Sequence, residues 1–483
     1  MKNTKLVSLL KSLNVPELRK LQQFAGSAFV NTNENVVLLL DHIGKHHPEY
    51  IHPKLEKKNV FKALFPGEEY NDGRIRYLSS ELLSIAENFL VYISYEENPI
   101  EKQNCLLAEL NKRGLDSIFE MRRKELKRKL DGDLINSISL LQSFRLEEAE
   151  MFYFQRTLSG RQDELIRSFN YADVMKALSK YYLEYSLKMY CSLLEQKNSY
   201  NKSFPFKTLA DTLDALQQDM GEQPEIILLY SDCVRLLTTR DARYYYTLRD
   251  KLLAATPGTI AEEDQRNLIT MLTNFSLQQY RNGDYTFLAE LIKLTKITLE
   301  KQLFHPDKKM SHVQFANIVL MGIKGDDVDG LDDFISEYSS WLSEDVRLST
   351  TSFASASLAF YRKEYKSALR FLRDAKYESP FRQIAIKNLL LKIYFEMKET
   401  ELIASLIDSY VHVLKSAEFL TNKSKETYSG FIRFYKALYR ARQNRDVKKI
   451  QELRNELLVE KNIAEHVWLV SKTDEVNASF SSL

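Results

Sequence analysis

Apolar residues recur every three or four positions through most of the chain, the spacing that places them on one face of an α-helix. The clearest stretch is Ala354–Pro380, which predicts a helix ending near Arg362, a tight turn at Lys363 and Glu364, and a second helix closed by Pro380. One face of that second helix holds Tyr365, Ala368, Leu372 and Ala375. Such a hairpin cannot bury its apolar face alone, so the pattern predicts similar hairpins on either side.

Helix-breaking clusters divide the second half of the chain at similar intervals. Successive clusters lie about 35 to 46 residues apart, and each interval contains two helical patterns. The clusters are residues 201–205, Arg240-Asp241, Asn282-Gly283-Asp284, Asp326–Gly330, Lys363-Glu364, Lys398-Glu399 and Asn444-Arg445. This period is typical of helical-repeat proteins, so we expect an all-α chain whose larger part is an α-solenoid of helical hairpins.

Several residues indicate one family of repeats. The turn Gly283-Asp284-Tyr285 resembles the inter-helix turn of a tetratricopeptide repeat, and Gly322 is a small residue where two helices of a pair can cross. The second-helix positions of that family are matched by Tyr365, Ala368, Ala375 and Pro380. The resemblance covers residues 205–465 and implies a tetratricopeptide-like array with a concave binding face, although no repeat carries the full family pattern and the repeat length varies.

The N-terminal part has a different organisation, with irregular turn spacing. Asn14 and Glu17 form a predicted capping box, and Asn71 precedes a long helix. The predicted buried stripe of that helix is Ile75, Leu78, Leu82, Ile85, Phe89 and Leu90. The Leu64-Phe65-Pro66-Gly67 turn and the helix after it are similar to a module of uncharacterised bacterial proteins. Because Asp131-Gly132-Asp133 continues a helix poorly, we place the boundary there, with a helical module at 1–131 and the repeat array at 132–483.

Composition and charge narrow the possible functions. Glycine and proline are scarce, with 14 and 10 residues, which favours helices, and the net charge of +2 gives no overall attraction to polyanions. The three scattered cysteines match neither a disulfide framework nor a zinc site, and no apolar run is long enough for a signal peptide or a membrane span. These features predict a cytoplasmic protein that needs no cofactor.

Two clusters suggest metal binding, and both have a simpler interpretation. His42 and His46 are four residues apart, with His47 nearby and His52 or Glu49 as a third ligand, but histidines also suit the end of a helix and an exposed link. The acidic run 325–333 resembles a calcium loop, yet Gly325 and Ser336 would stand where calcium requires carboxylates. We therefore expect no metal site, and we expect Asp329 to cap the helix that follows the run.

A basic helix supplies the alternative function. Six cations lie within residues 114–130: Arg122, Arg123, Lys124, Lys127, Arg128 and Lys129. This face could contact phosphates, or it could be an ordinary solvated face whose cations suit the helix C-terminus. Arg74 and Arg76 lie at the start of another helix, where a recognition helix contacts bases, so nucleic-acid recognition stays an alternative.

Tyrosines are abundant and mark two further regions. A long helix predicted over residues 170–197 carries, at spacings of three or four, Val174, Leu178, Tyr182, Tyr185, Met189 and Leu193. Aromatic residues at helical spacing are usually core residues. Three consecutive tyrosines, Tyr244, Tyr245 and Tyr246, cannot all face one way, so at least one should be exposed or lie in a groove. Together with Arg240 and Arg243 they are our candidate partner-binding residues.

No common catalytic or nucleotide-binding motif occurs in the sequence. We therefore expect a non-catalytic scaffold or adaptor that binds a protein or peptide on the concave face of the array, and we expect no membrane contact and no small-molecule substrate. The alternative is a regulator that binds nucleic acid through the N-terminal module, with Arg122, Arg123, Lys127 and Arg128 as contacts.

Overall fold

The protein is all-α, as the sequence predicts. The computed structural model is 79% helical, and the described residues contain no strand. They are residues 4–132, 135–169, 171–199, 209–219, 221, 223–256, 258–301, 303, 309–376, 380–418 and 420–481. The predicted turn at 201–205 lies outside this part of the chain.

The chain forms two compact units, the first made of residues 1–132 and 142–171 and the second of residues 133–141 and 172–483. The helices that begin before residue 170 are α1 (Lys5–Ser12), α2 (Val15–Ala25), α3 (Glu34–Gly44), α4 (Lys57–Leu64), α5 (Asp72–Glu96), α6 (Pro99–Lys112), α7 (Asp116–Gly132), α8 (Ser137–Thr157) and α9 (Gln162–Ser168). Residues 142–171 thus group with the N-terminal helices. That two separately folding domains divide after Asp131 stays a prediction.

Local sequence explains how the helices of the first unit begin. Asn14 and Glu17 form the predicted capping box at the start of α2, and the Asn71 side chain accepts the Arg74 N–H at the start of α5. The core holds the predicted stripe of α5, namely Ile75, Leu78, Leu82, Ile85 and Phe89. Leu90, which the sequence placed on that stripe, is exposed because it lies a further 100° around the helix from Phe89.

The second unit is a succession of helices that pack on their neighbours in sequence. They are α10 (Tyr171–Ser199), α11 (Leu209–Asp219), α12 (Glu225–Thr239), α13 (Ala242–Ala254), α14 (Glu262–Arg281), α15 (Phe287–Glu300), α16 (His312–Lys324), α17 (Leu331–Tyr338), α18 (Glu344–Tyr361), α19 (Tyr365–Leu372), α20 (Pro380–Met397), α21 (Ile403–Ser416), α22 (Asn422–Gln443), α23 (Val447–Val459) and α24 (His466–Ser481). Consecutive pairs such as α12–α13, α14–α15 and α18–α19 form hairpins.

Five turns of this unit share one geometry. In each, a residue with positive φ ends a helix, and the N–H of the following acidic residue bonds a carbonyl five positions earlier, as in a Schellman motif. The pairs are Gly283-Asp284, Asp326-Asp327, Lys363-Glu364, Lys398-Glu399 and Arg445-Asp446. All five lie at turns predicted from the sequence, so these predicted clusters mark turns between helices.

The hairpin α18–α19 contains the α19 stripe, which we define as Tyr365, Ala368, Leu372 and Ala375. Ala368, Leu372 and Ala375 are buried and Tyr365 is half-buried, all within one apolar cluster with α16 and α20. The predicted helix does not continue to Pro380. It ends at Leu372, and Ala375 packs from the turn that follows, where the Lys376 N–H bonds the Asp374 carbonyl.

Gly322 occupies a close approach, as its position in the pattern suggested. A Cβ at this glycine would lie 2.9 Å from the carbonyl oxygen of Asp327 and 3.1 Å from the Leu331 methyl groups. The start of α17 can therefore fold back against α16 only because this position has no side chain.

One contact of the second unit joins segments far apart in sequence. The Tyr285 hydroxyl lies 2.6 Å from Nδ1 of His466, and the other ring nitrogen of His466 lies 2.6 Å from the Leu457 carbonyl oxygen. Gly283 has a φ of +95°, and a Cβ there would come within 2.6 Å of the Lys461 Cβ. The unit is therefore more than a chain of nearest-neighbour contacts.

Candidate functional site

The three consecutive tyrosines of α13 have three different environments. Tyr245 is fully buried, its ring packs against Phe275 and Phe287, and its hydroxyl donates to Glu290 at 3.1 Å. Tyr244 is half-buried against the same cluster, and Tyr246 is exposed. Burial raises the pKa of Tyr245, whose hydroxyl stays protonated at neutral pH. Tyr245 thus belongs to the core, and Tyr244 and Tyr246 remain at the surface.

The two candidate arginines also differ. Arg240 has positive φ at the end of α12, donates to the Gln278 side chain at 2.8 Å and lies over the Phe275 ring. Its burial lowers its pKa. Arg243 is exposed and pairs with Asp241, which caps α13, at 2.6 Å. Arg243 therefore lies at the surface with Tyr244 and Tyr246, whereas Arg240 joins the end of α12 to α14.

A neighbouring arginine braces the exposed tyrosine. The Arg249 guanidinium lies 4.9 Å from the centre of the Tyr246 ring and is held by Glu290 at 2.6 Å. Phe287 stacks against the Tyr246 ring itself, at 6.3 Å between centroids. We call Arg243, Tyr244, Tyr246 and Arg249 the α13 surface. Its aromatic groups are held in place before any partner binds, which reduces the entropy cost of binding.

The cations of the basic helix α7 are largely matched by carboxylates. Arg122 pairs with Glu125 at 2.8 Å, Arg123 with Glu120 and with Glu150, and Lys129 with Glu125. Lys127 lies 3.9 Å from Glu147. In the described part of the chain, Lys124 and Arg128 have no ion-pair partner, and both line a shallow open hollow with Met121, Lys127 and Asp131. Phe119 and Leu126 face inward.

The histidines in the last turn of α3 and in the link after it stack on one another and do not converge on a common point. The rings of His46 and His52 are 4.8 Å apart and nearly parallel, His42 meets His46 edge-on, and His47 lies 2.8 Å from the Leu13 carbonyl oxygen. Burial and the neighbouring imidazoles of His52 and His42 lower the pKa of His46. No group of three or more potential ligands in the described ranges has the geometry to hold a metal ion.

The acidic residues of the run 325–333 form ion pairs and a hydrogen bond with side chains of other helices. Asp327 pairs with Lys296 at 3.1 Å, Asp332 with Arg362, and Asp326 accepts the Tyr361 hydroxyl. The expected cap at Asp329 is wrong, because Gly330, with a φ of +78°, precedes the first helical residue instead. The chain has a left-handed turn there that glycine adopts without strain.

The tyrosine-rich helix α10 departs most from expectation. Four residues of its predicted row, Leu178, Tyr182, Tyr185 and Met189, are exposed or half-buried. Together with the exposed Met175 they form a heptad-spaced row that we call the α10 stripe. Tyr182 and Tyr185 are 43% and 47% exposed, and Leu178 is only half-buried. The opposite face of α10 supplies the core, with Leu183, Leu187 and Cys191. Spacing alone did not show which of two apolar faces would be covered.

A buried ionic cluster anchors that covered face. The Lys188 ammonium lies 2.7 Å from Asp264 and also pairs with Glu184, while the Tyr230 hydroxyl donates to Asp264 at 2.8 Å. Although burial alone would favour the neutral amine, Asp264 and Glu184 hold the pKa of Lys188 above its usual range. This cluster was not predicted from the sequence, where its one local sign is the four-residue spacing of Glu184 and Lys188.

Comparison with known proteins gives no relative, because no family model, curated protein or solved structure matches the chain. Within the described part of the chain, none of the helices has the length and apolar character needed to cross a membrane.

Proposed function

We propose that this protein is a non-catalytic scaffold or adaptor that binds a protein or peptide partner on its array of helical hairpins. The observation that carries the proposal is the α13 surface, where Tyr246 and Arg243 are exposed on a helix whose other side is fixed in the core. Tyrosine and arginine are the residue types that most often dominate binding energy at protein interfaces.

The hairpin repeat also supports this function. Shared turn geometry at five positions gives similar hairpins side by side, and stacked hairpins present extended surfaces on which a peptide can lie. We also propose that these repeats are tetratricopeptide-like and that the protein is cytoplasmic. The described cysteines are all free thiols, as a reducing compartment would keep them.

Affinity capture with matched variants tests the proposal. The double variant Arg243→Ala/Tyr246→Ala removes two surface side chains and leaves Tyr245 and its contact with Glu290 in place. Arg76→Ala/Tyr77→Ala is the control, because α5 also presents an exposed arginine paired with an aspartate next to an exposed tyrosine. Quantitative mass spectrometry should find partners retained by the wild type and the control and lost with the α13 variant.

Equal capture by all three proteins, with unchanged helical circular dichroism, would contradict this use of the α13 surface. The truncation to alanine at an interface hot spot typically costs about 2 kcal/mol or more, which is a loss of at least roughly thirtyfold in affinity. A loss of that size is readily seen in a capture experiment.

Nucleic-acid binding is a second candidate with a narrower basis, namely the unpaired cations Lys124 and Arg128 beside Lys127 on α7. If phosphates bind there, Lys124→Glu/Arg128→Glu should weaken retention on heparin and reduce the slope of log affinity against log salt by about 2. Retention that is weak for the wild type and unchanged in the variant would exclude this surface.

A further inference from the structure

The segment between α3 and α4, residues 45–55, supplies two side chains to the core of the first unit. We call this segment the α3–α4 link. Tyr50 and Leu55 are fully buried in the apolar cluster that α1, α3 and α5 also form. Most of the other residues of the link are exposed. The link is therefore held in place by two core side chains and by a small number of hydrogen bonds.

One of these hydrogen bonds requires a neutral histidine. His52 precedes a short 3-10 helix, Pro53–Leu55, and its Nδ1 accepts the Lys54 N–H at 3.1 Å. An imidazole that accepts a hydrogen bond through Nδ1 is neutral and carries its proton on Nε2. A second proton must bind at Nδ1, so protonation of His52 removes the acceptor that caps this turn.

A second imidazole lies directly on the first. The rings of His46 and His52 are 4.8 Å apart and nearly parallel, and the ring of His42 meets that of His46 edge-on at 6.2 Å. The groups that act most strongly on the charge of His46 are these two histidines together with Lys54 and Lys45, and no carboxylate is among the four. Burial and these neighbours lower the pKa of His46. A charge on either stacked ring is therefore opposed by the groups around it.

The carboxylates nearest in sequence do not form ion pairs with this cluster. Asp41 accepts the Gln22 side-chain amide at 2.9 Å, on the side of α2. Glu49 and Glu56 are exposed. Of the lysines at the start of α4, Lys57 pairs with Asp72 at 3.1 Å. The positive charge that the cluster gains in acid is thus left to the two lysines and three imidazoles that share this site.

The remaining histidine of the link responds differently to a proton. Nε2 of His47 lies 2.8 Å from the Leu13 carbonyl oxygen, and since a carbonyl only accepts, this nitrogen donates. A second proton would bind at Nδ1 of His47 and leave that hydrogen bond in place. The beginning of the link can therefore stay attached in acid while the part around His52 loses its contacts.

We propose that the α3–α4 link is a pH-sensitive segment, and that protonation of His46 and His52 detaches it from the first unit and exposes Tyr50 and Leu55. In the attached link the two charged rings would be stacked beside Lys45 and Lys54, and the cap at Lys54 would be lost. In the detached link both rings are solvated and separate, so they bind protons as ordinary imidazoles do. The proposal concerns the first unit alone and stands independently of the proposed function.

Linkage fixes the direction and the size of the effect. The detached link binds protons near pH 6.5, and the attached His46 binds its proton at a lower pH. The stability of the attached link is therefore complete above about pH 6.5 and is lost as the pH falls through the lower pKa of the attached His46. For one imidazole that is protonated only when the link is detached, the detached fraction rises about tenfold between roughly pH 7.5 and 5.5.

Hydrogen exchange of the full chain, followed by mass spectrometry, tests the proposal. The Tyr50 and Leu55 N–H groups bond the His46 and His52 carbonyl oxygens at 2.9 and 3.0 Å, so their protection reports whether the link is attached. After correction for the intrinsic effect of pH on exchange, this protection should fall at least about tenfold from pH 7.5 to 5.5. Peptides of α5 should keep their protection, which separates local detachment from unfolding of the unit.

Matched variants assign the effect to the stacked histidines. His46→Gln/His52→Asn removes both titratable rings, and an asparagine at this position can still accept the Lys54 N–H at either pH. Its protection should change less than about threefold over the same range. His412→Gln is the control, because His412 is an exposed histidine on α21 in the second unit, and it should respond as the wild type does. His52→Asn alone keeps one ring and should give a weaker response than the wild type.

Three results would overturn the proposal. One is a wild-type link whose protection at pH 5.5 stays within about twofold of that at pH 7.5, or that exchanges freely at both. Another is a pH response that the double variant and His52→Asn both share fully with the wild type. The third is a parallel loss of protection in α5, which would mean that acid unfolds the whole unit. Partner capture by the α13 surface is unaffected by any of these results, so the two proposals fail separately.

Discussion

The α19 stripe and the α10 stripe have the same spacing in the sequence and opposite fates in the structure. Ala368, Leu372 and Ala375 are buried between neighbouring helices, whereas Tyr182 and Tyr185 remain nearly half exposed. The difference lies in side-chain size and in what each helix has on its other side. The small residues of α19 let helices of the same chain approach closely. Helix α10 already buries one apolar face, and the large side chains of the α10 stripe lie on its other face.

The largest expected effect lies on the buried stripe. Leu372→Ala removes the Cγ methine and both methyl groups of a buried side chain from the cluster shared by α16, α18 and α20. The lost burial and the cavity should lower the free energy of unfolding by about 2–5 kcal/mol. Urea unfolding followed by circular dichroism measures the change. A loss below about 0.5 kcal/mol, the range of surface substitutions, would show that Leu372 is not in the core.

Overpacking probes the close approach on the same stripe. Ala368→Leu and Ala375→Leu should each cost about 1–3 kcal/mol, because a larger side chain must displace helices already in contact. Thermal melting of both variants, compared with the surface control Leu348→Ala, would measure this loss of stability. Neutral behaviour at both alanines would place them on the surface and remove the contrast with α10.

Buried and exposed tyrosines should also differ in their response to alkaline pH. Burial raises the pKa of Tyr50 to about 12, and its hydroxyl has no hydrogen-bond partner in the described structure. The unfolded chain loses this proton near pH 10, so the contribution to stability is complete below about pH 10 and is lost as pH rises through about 12.

Tyr50→Phe keeps the buried ring and removes the ionisable group. The difference in unfolding free energy between this variant and the wild type should therefore grow with pH in favour of the variant, by on the order of 1–3 kcal/mol between about pH 10 and 12. Urea unfolding at a series of pH values measures it. A difference that stays constant over this range would contradict the assignment of Tyr50 to the core.

The sequence was sufficient for features that depend on neighbouring residues. Asn14 and Asn71 cap the predicted helices, and the turn at Lys363 and Glu364 lies where the pattern placed it. In each case the feature depends on a hydrogen bond between residues a few positions apart or on the φ angle of a single residue. Local chemistry is therefore enough to predict the feature.

Features that depend on distant residues were not predictable in the same way. Lys188 finds its partner Asp264 on another helix, and Tyr285 meets His466 across 181 positions of sequence. The candidate site shows the same limit. Three consecutive helical residues cannot all face one way, so the sequence correctly predicted an exposed tyrosine among Tyr244, Tyr245 and Tyr246. Only packing against Phe275 and Phe287 decides that Tyr245 is the buried one.

The most direct test of the contrast between the two stripes places one charge on each. Ala368→Glu buries a carboxylate between helices, whereas Tyr182→Glu adds one to a surface already open to water. Thermal melting of both variants under identical conditions compares them directly. We predict that Ala368→Glu loses several kcal/mol or does not fold, because a buried unpaired charge is strongly disfavoured, and that Tyr182→Glu melts within about 0.5 kcal/mol of the wild type. Equal destabilisation of the two variants would contradict the account, since it would mean that the α10 stripe is as much a part of the core as the α19 stripe.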